Sequence, residues 1–420
     1  MPHLTMPRKK IHKLTNPVRH YAWGSYDGFS LYAGVEQDKD KPSAELWLGA
    51  HPDAPSLADL GGGRTQALNR YIESNRNRVL GEQIAGEYGF LPFLFKVLSA
   101  SMPLSIQVHP SKAKAEAGYE RESRAGILPQ APERDYKDRN HKPELAVALS
   151  DFEALCGFRD AQEIRDLLGD ELAAFFGFSS RDGEASLRIL IAKALGLKEK
   201  DKLLLERMAV DRGRKLAENA QGPSKTAGQT LLACYAHYPH DPGALSPLFL
   251  QVHKLKPGQG IYVPAGVMHA YLSGTILEIM ASSDNVIRGG LTQKHMDIPE
   301  LLEILDFGAG PAIVEARAEN GGESLVWDSP AREFRLSARM LRNGHPQILQ
   351  TRGPEILLCT RGSVTVQEIP RQVGASEAHE SSSLVMERGS SIFVSADCTS
   401  YKLEGEGSVY RATVGGVDSR

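Results

Sequence analysis

With 420 residues, 41% of them hydrophobic and 24% charged, the chain has ordinary globular composition, and its length exceeds what one core supports, so two or three domains are expected. A formal charge of −3 leaves no basic excess to neutralise phosphates, which excludes nucleic acid as the main partner. No run approaches the roughly 20 apolar residues of a membrane helix, and the basic stretch Met1 to Lys13 is followed by no apolar core, so Arg8, Lys9, Lys10 and Lys13 read as a solvated arm rather than a secretory signal.

In chain order, Ala44 to Gly49 is strand-like, Gly61-Gly62-Gly63 marks a turn, and Leu68 to Arg78 has a polar helical pattern. Phe90 to Leu98 is an apolar run interrupted by Pro92, and Leu104 to His109 is a short strand stopped by Pro110. Ser111 caps a helix running to Tyr119, and Leu145 to Leu149 resumes as strand. Four helical patterns follow, at Ala161 to Phe176, Ala185 to Gly196, Glu199 to Asn219 and Thr230 to Tyr238, closed by Pro239, Pro242 and Pro247. From Leu250 short strands return, among them Glu355 to Cys359 and Ser363 to Gln367. The 40 glycines and 24 prolines between short apolar runs imply many tight turns and much β structure. Cys156, Cys234, Cys359 and Cys398 lack C-x-x-C spacing, so reduced thiols in a cytoplasmic protein are expected rather than disulfides or a thiolate zinc site.

One segment shape occurs twice. Gly258-Gln-Gly-Ile-Tyr-Val-Pro264-Ala-Gly-Val-Met-His269 aligns without gaps to Gly389-Ser-Ser-Ile-Phe-Val-Ser395-Ala-Asp-Cys-Thr-Ser400. Evenly spaced short strands and this repeat suggest two small barrels or jelly rolls. The first copy ends in histidine, the second in serine.

Gly258-x5-Pro264-x-Gly266-x2-His269 resembles the second motif of the cupin family, with Ser273 where that family commonly has Asn. Its turn would aim His269 into a barrel mouth. In Ser105-Ile-Gln-Val-His-Pro110, Gln107 and His109 share one strand face and Ile106 and Val108 the other. Glu144 begins an apolar strand after Pro143, either as a metal ligand or as a partner of Lys142 or His141. Together Gln107, His109, Glu144 and His269 suit Zn²⁺ with an open position. One anionic ligand leaves the site cationic, as stabilising an enediolate requires.

Longer segments resemble the type I mannose-6-phosphate isomerase family through residue 307. They are Tyr21 to Ser25, Ala44 to Pro52, Leu91 to Leu98, Leu104 to Pro110, Asn140 to Glu144, His269 to Gly274 and Asp284 to Thr292. That resemblance implies one zinc on Gln107, His109, Glu144 and His269, and interconversion of mannose 6-phosphate and fructose 6-phosphate. It puts the catalytic arginine on Arg288 and a lysine on Lys294, although Gln293 replaces the usual proline between them.

Aldose–ketose isomerisation needs a base, ring opening and cations for phosphate. Glu278, in Thr275-Ile-Leu-Glu-Ile-Met280, is the base candidate if buried, or an ion-pair partner of Lys96 or Lys142. Lys142 and His141 suit ring opening or proton shuttling. Lys96, Ser105, Arg288 and Lys294 form the pool for phosphate and transition-state contacts, while Tyr271 and Asp284 line or buttress the pocket. Trp23 and Trp47 read as core anchors, and His51 as lacking a partner.

The expected architecture is mainly β with an α insert: two cupin-type jelly-roll barrels plus a helical domain. Residues 1–158 and 243–310 form the metal-bearing barrel, 159–242 the helical insert framing one side of the pocket, and 311–420 a barrel without metal. A small sugar phosphate is the expected partner, with neither nucleic acid nor membrane, and a monomer is favoured. Two rival readings are an Fe(II)-dependent cupin oxygenase, disfavoured by Gln107 in place of a second strand histidine, and a sugar-binding cupin without catalysis.

Overall fold

The strand His269–Ala281 organises the first barrel. In the computed structural model, which describes residues 9–370 and 383–416, its C-terminal part pairs with Phe93–Ala100 on one side and Glu144–Ala148 on the other. Its N-terminal part pairs with Phe152–Phe158 and Gln107–Val108. A register shift between Tyr271 and Ser273 lets one strand serve both faces. Gly274 makes that bend feasible: its φ is +106°, and a Cβ there would stand 2.4 Å from the Asp151 carbonyl oxygen.

The expected strand at Leu104 to His109 is regular only over Gln107–Val108, yet Leu104 and Ile106 still donate to the carbonyls of Tyr271 and Gly290. Its alternation reads as the sequence implies. Ile106 and Val108 join the same core as Leu167, Leu172, Leu231 and Cys234 of the helical block, so that block packs behind the strand that carries Gln107 and His109. The helices run Ala161–Phe176, Gly183–Leu195, Glu199–Asn219 and Gly222–His237. Asp160 caps the first, accepting from the Gln162 N–H, and Gly177 ends it in the left-handed region. The block was expected to frame the pocket. It supports the barrel wall instead, and none of its residues lines the central cavity.

The internal repeat is structural. Gly260–Val263 leads into His269–Ala281, and Ser391–Val394 leads into Ser400–Thr413. Glu355–Glu368 pairs with Ser400–Thr413 over nearly its whole length. The two strands expected at Glu355 to Cys359 and Ser363 to Gln367 are thus one, carried past the break by a bulge between Cys359 and Arg361.

The N-terminus differs from its expected place. Ile11–Thr15 pairs with Ser391–Val394 and with Leu57–Gly61, so these early strands, with Arg64–Ala67, belong to the sheet of the C-terminal barrel. Burial of Ile11 and Leu14 drives this, and the added strand covers an edge that would otherwise expose unpaired backbone. Lys9 and Lys10 are tied to Asp59 at 3.0 Å and Glu368 at 2.6 Å rather than solvated, while Arg8 lies outside the described residues. All four cysteines are free and buried. Among the described residues no helix is long and apolar enough to cross a membrane.

Candidate active site and metal centre

His109 and His269 are held alike. His109 Nδ1 lies 2.8 Å from the Asn285 carbonyl oxygen, and His269 Nδ1 lies 3.0 Å from that of Val267. A carbonyl oxygen only accepts, so each Nδ1 carries the proton and each Nε2 presents a lone pair. Those lone pairs converge on Glu144, at 3.2 Å from Oε1 for His109 and 3.4 Å from Oε2 for His269. His109 Nε2 is buried without a hydrogen-bond partner. Three acceptors facing one another with no proton between them repel unless a cation joins them. The carbonyl anchors are the supports that fix a metal-binding imidazole, so the donor set fits a borderline dication such as zinc. The Pro264-Ala-Gly266 turn connects the two histidine segments: Gly266, at φ +81°, donates its N–H to the His109 carbonyl at 2.8 Å.

Gln107 lies across from His269 on one side and Arg288 on the other. Directly opposed residues share a sheet face, so Arg288, Gln107 and His269 form one row. Gln107 Nε2 donates to Ser105 Oγ at 3.3 Å, which leaves its amide oxygen free to act as a ligand.

A small cavity gathers Lys96, Ser105, Gln107, Lys142, Glu144, His269, Tyr271 and Glu278 from the sequence-derived set. Lys142 Nζ stands 2.9 Å from Glu144 Oε1, and the Tyr271 hydroxyl donates to Oε2 at 3.4 Å. Glu144 thus faces both the imidazoles and Lys142. Burial opposes its ionisation, but Lys142 holds its carboxyl well below the usual range. Burial pushes His109 down to about 4, with Lys142 adding to the effect, so its imidazole is neutral.

Lys96 lies between two carboxylates, 3.1 Å from Glu278 Oε2 and 3.2 Å from Glu45 Oε1, with its ammonium 5.3 Å from the Trp47 ring centre. Burial works against that charge, but Glu45, Glu278 and Glu144 more than offset it and hold Lys96 above the usual range. Burial raises Glu278, opposed in part by Lys96. The ion-pair alternative for Glu278 is therefore realised with Lys96, within reach of the cavity.

Besides the ligand candidate His109, four expected residues lie away from the cavity lining. His141 Nε2 meets Glu333 at 2.7 Å, and Asp284 meets His51 Nε2 at 3.2 Å. His51 therefore has the partner that its sequence context did not reveal. Arg288 is lowered by burial, with Asp135 opposing. Lys294 is lowered by burial and then by Arg288 and Lys137, so three cations gather beside the metal-ligand row. Sequence reasoning missed Lys137 and Glu45. Strand alternation gave a signal for Glu45, since it shares a face with Trp47 rather than with Leu46 and Leu48.

Residues 11–161 match the model of the phosphomannose isomerase type I catalytic domain. The chain is 38% identical over 406 residues to mannose-6-phosphate isomerase of Salmonella typhimurium, covering 96% of this chain and 99% of that protein. The chain belongs to the type I phosphomannose isomerase family. Human mannose-6-phosphate isomerase is 32% identical over 425 residues, covering 93% of this chain and 95% of the relative. Among solved structures of the family, the S. typhimurium enzyme bound to its substrate fructose 6-phosphate and a zinc atom superposes with a TM-score of 0.84 at 36% identity, over 97% of this chain and 100% of that one. A zinc-bound holo mannose 6-phosphate isomerase gives 0.84 at 35% identity, with the same coverage. Phosphomannose isomerases share a cupin fold, and the two large antiparallel sheets and helical block described here follow it.

Proposed function

We propose that this chain is a zinc-dependent aldose–ketose isomerase interconverting mannose 6-phosphate and fructose 6-phosphate through an enediolate. The observation that carries the reading is the convergence of two Nε2 lone pairs on Glu144, beside a cavity that also holds the buried Lys96–Glu278 pair. Gln107, His109, Glu144 and His269 would hold zinc, which when bound supplies a Lewis acid for the oxygens of the reacting carbons.

The chain's own residues divide the remaining work. Glu278 moves the proton between the adjacent carbons: it is buried, raised by that burial, and opposed in this by the Lys96 ammonium at 3.1 Å. Lys142, on the cavity wall, serves ring opening, a step that needs a proton delivered to the ring oxygen. Arg288, in the row of Gln107 and His269, stabilises the developing oxyanion. Lys294, with Lys137, receives the phosphate dianion. Ser105 orients Gln107, and Tyr271 orients Glu144. Lys96, expected among the substrate contacts, is committed to Glu45 and Glu278 and acts on Glu278. His141 and Asp284 brace the segments bearing Lys142 and Arg288 through Glu333 and His51.

A monomer working in the cytoplasm completes the reading, and four unpaired thiols suit that reducing compartment. The test is a coupled assay for fructose 6-phosphate formed from mannose 6-phosphate, with zinc measured on the same sample. Turnover that scales with zinc content is the expected result. Folded, zinc-loaded protein without turnover would refute it.

A further inference from the structure

Outside the cleft, Asp135, His295 and Asp297 bring one imidazole nitrogen and two carboxylate oxygens within 4.8 Å of one another. Asp135 decides what this cluster means. It is only 6% exposed, and among the described residues its carboxylate has neither a hydrogen-bond donor nor an ion-pair partner. Only its backbone is engaged, the N–H donating to Glu122 at 3.4 Å. A carboxylate so far withdrawn from water and without a partner is stabilised by a cation or a proton.

The surrounding charges do not supply one. Glu122 is paired with Arg134 at 2.9 Å, and Glu300 with Arg121 at 2.8 Å. Asp297 Oδ1 accepts the Glu300 N–H at 2.9 Å as a helix cap, leaving Oδ2 free. Burial, then Glu122, Asp297 and Glu300, push the Asp135 carboxyl up to about 7, the mark of an uncompensated negative field. Arg288 opposes them, but among the described residues it forms no ion pair with Asp135. His295 is exposed and forms no ion pair with either carboxylate, so its imidazole is uncommitted.

We propose that Asp135, His295 and Asp297 form a second metal centre, distinct from the His109–Glu144–His269 set, that takes a transition-metal dication of the Zn²⁺ or Co²⁺ type. One imidazole with two carboxylates selects such ions over Mg²⁺ and Ca²⁺, which favour all-oxygen shells. Ligand atoms at about 2.0–2.2 Å from one metal stand at most about 4.4 Å apart, a spacing that the exposed His295 can adopt. An ion held there engages the carboxylate that faces Arg288, so the second centre borders the cation group beside the catalytic cleft.

The experiment uses zinc-loaded enzyme freed of excess metal and dialysed against CoCl₂, with bound cobalt and retained zinc measured together and visible cobalt absorption recorded. Wild type is expected to take up an extra equivalent of cobalt without releasing zinc. His295→Ala and Asp135→Asn should each weaken that uptake about tenfold or more at unchanged zinc content. Because His295 is exposed, His295→Ala decides the matter even if Asp135→Asn unfolds. No cobalt uptake beyond zinc exchange, or full uptake by His295→Ala, would overturn the proposal.

Discussion

Gln107 and Arg288 stand directly opposite each other on neighbouring strands, with His269 across Gln107's other edge. The arginine therefore shares a sheet face with two proposed zinc ligands without belonging to the ligand set. Replacing Arg288 with Ala should lower kcat about 10²–10³-fold, the range seen when a preorganised oxyanion donor is lost. Zinc content, by atomic absorption, should stay at the wild-type level. Loss of zinc together with rate would instead assign Arg288 to holding the metal.

Glu278 and Lys96 make the second test. Glu278→Gln keeps the shape and can still accept a hydrogen bond from Lys96, but it cannot take a proton from carbon. We expect kcat to fall about 10²–10⁴-fold with little change in KM or melting temperature. Lys96→Met should behave differently. It leaves Glu45 and Glu278 buried without their shared cation, a loss of about 3–5 kcal/mol, readable as a lower denaturant midpoint. A Glu278→Gln enzyme with wild-type kcat would remove Glu278 from the proton transfer.

What the sequence made legible follows from how local each signal was. The pairing of Gly258…His269 with Gly389…Ser400 reported a real repeat because each copy is a contiguous strand–turn–strand unit. Ile106 and Val108 against Gln107 and His109 could be sorted by alternation alone. Ile11–Thr15 could not, since its place depends on Ser391–Val394, hundreds of residues away. The His51–Asp284 and His141–Glu333 contacts were hidden for the same reason. Glu278 shows the remaining limit: its neighbours in sequence announce burial, but whether Lys96 or Lys142 faces it depends on how the strands register.

Metal removal tests the donor set directly. Stripping zinc leaves the Nε2 atoms of His109 and His269 facing Glu144 with no ion between them. Chelated enzyme should lose turnover and melt at lower temperature, and Zn²⁺ should restore both. At a free zinc concentration about 1,000 times Kd, the stabilisation should be about 4 kcal/mol. Calorimetric melts with and without zinc check this. A melting temperature indifferent to zinc, in protein verified to be metal-free, would contradict the assignment.

His12 gives a prediction outside the catalytic barrel. It sits on the N-terminal strand that joins the C-terminal sheet, buried between Tyr71 and the Asp59 carbonyl. Nδ1 donates to that carbonyl at 3.0 Å, and Nε2 accepts the Tyr71 hydroxyl at 3.0 Å, so the neutral ring is the one the fold satisfies. Burial lowers its pKa from 6.5, with Lys9 and Arg78 adding to the effect against the Asp59 contact. Below about pH 6.5 the unfolded imidazole binds a proton that the folded one refuses, so the unfolded state gains. The stability from this group is complete above that pH. It falls as the pH drops toward the depressed folded value, by at most about 1.4 kcal/mol per unit, and then levels off. His253, also lowered by burial, adds a loss of the same sign. Urea melts from pH 7.5 to 5 on wild type and His12→Gln isolate the His12 share. The variant should be less stable at pH 7.5 and lose less on acidification. Parallel pH profiles would show that His12 does not carry this loss.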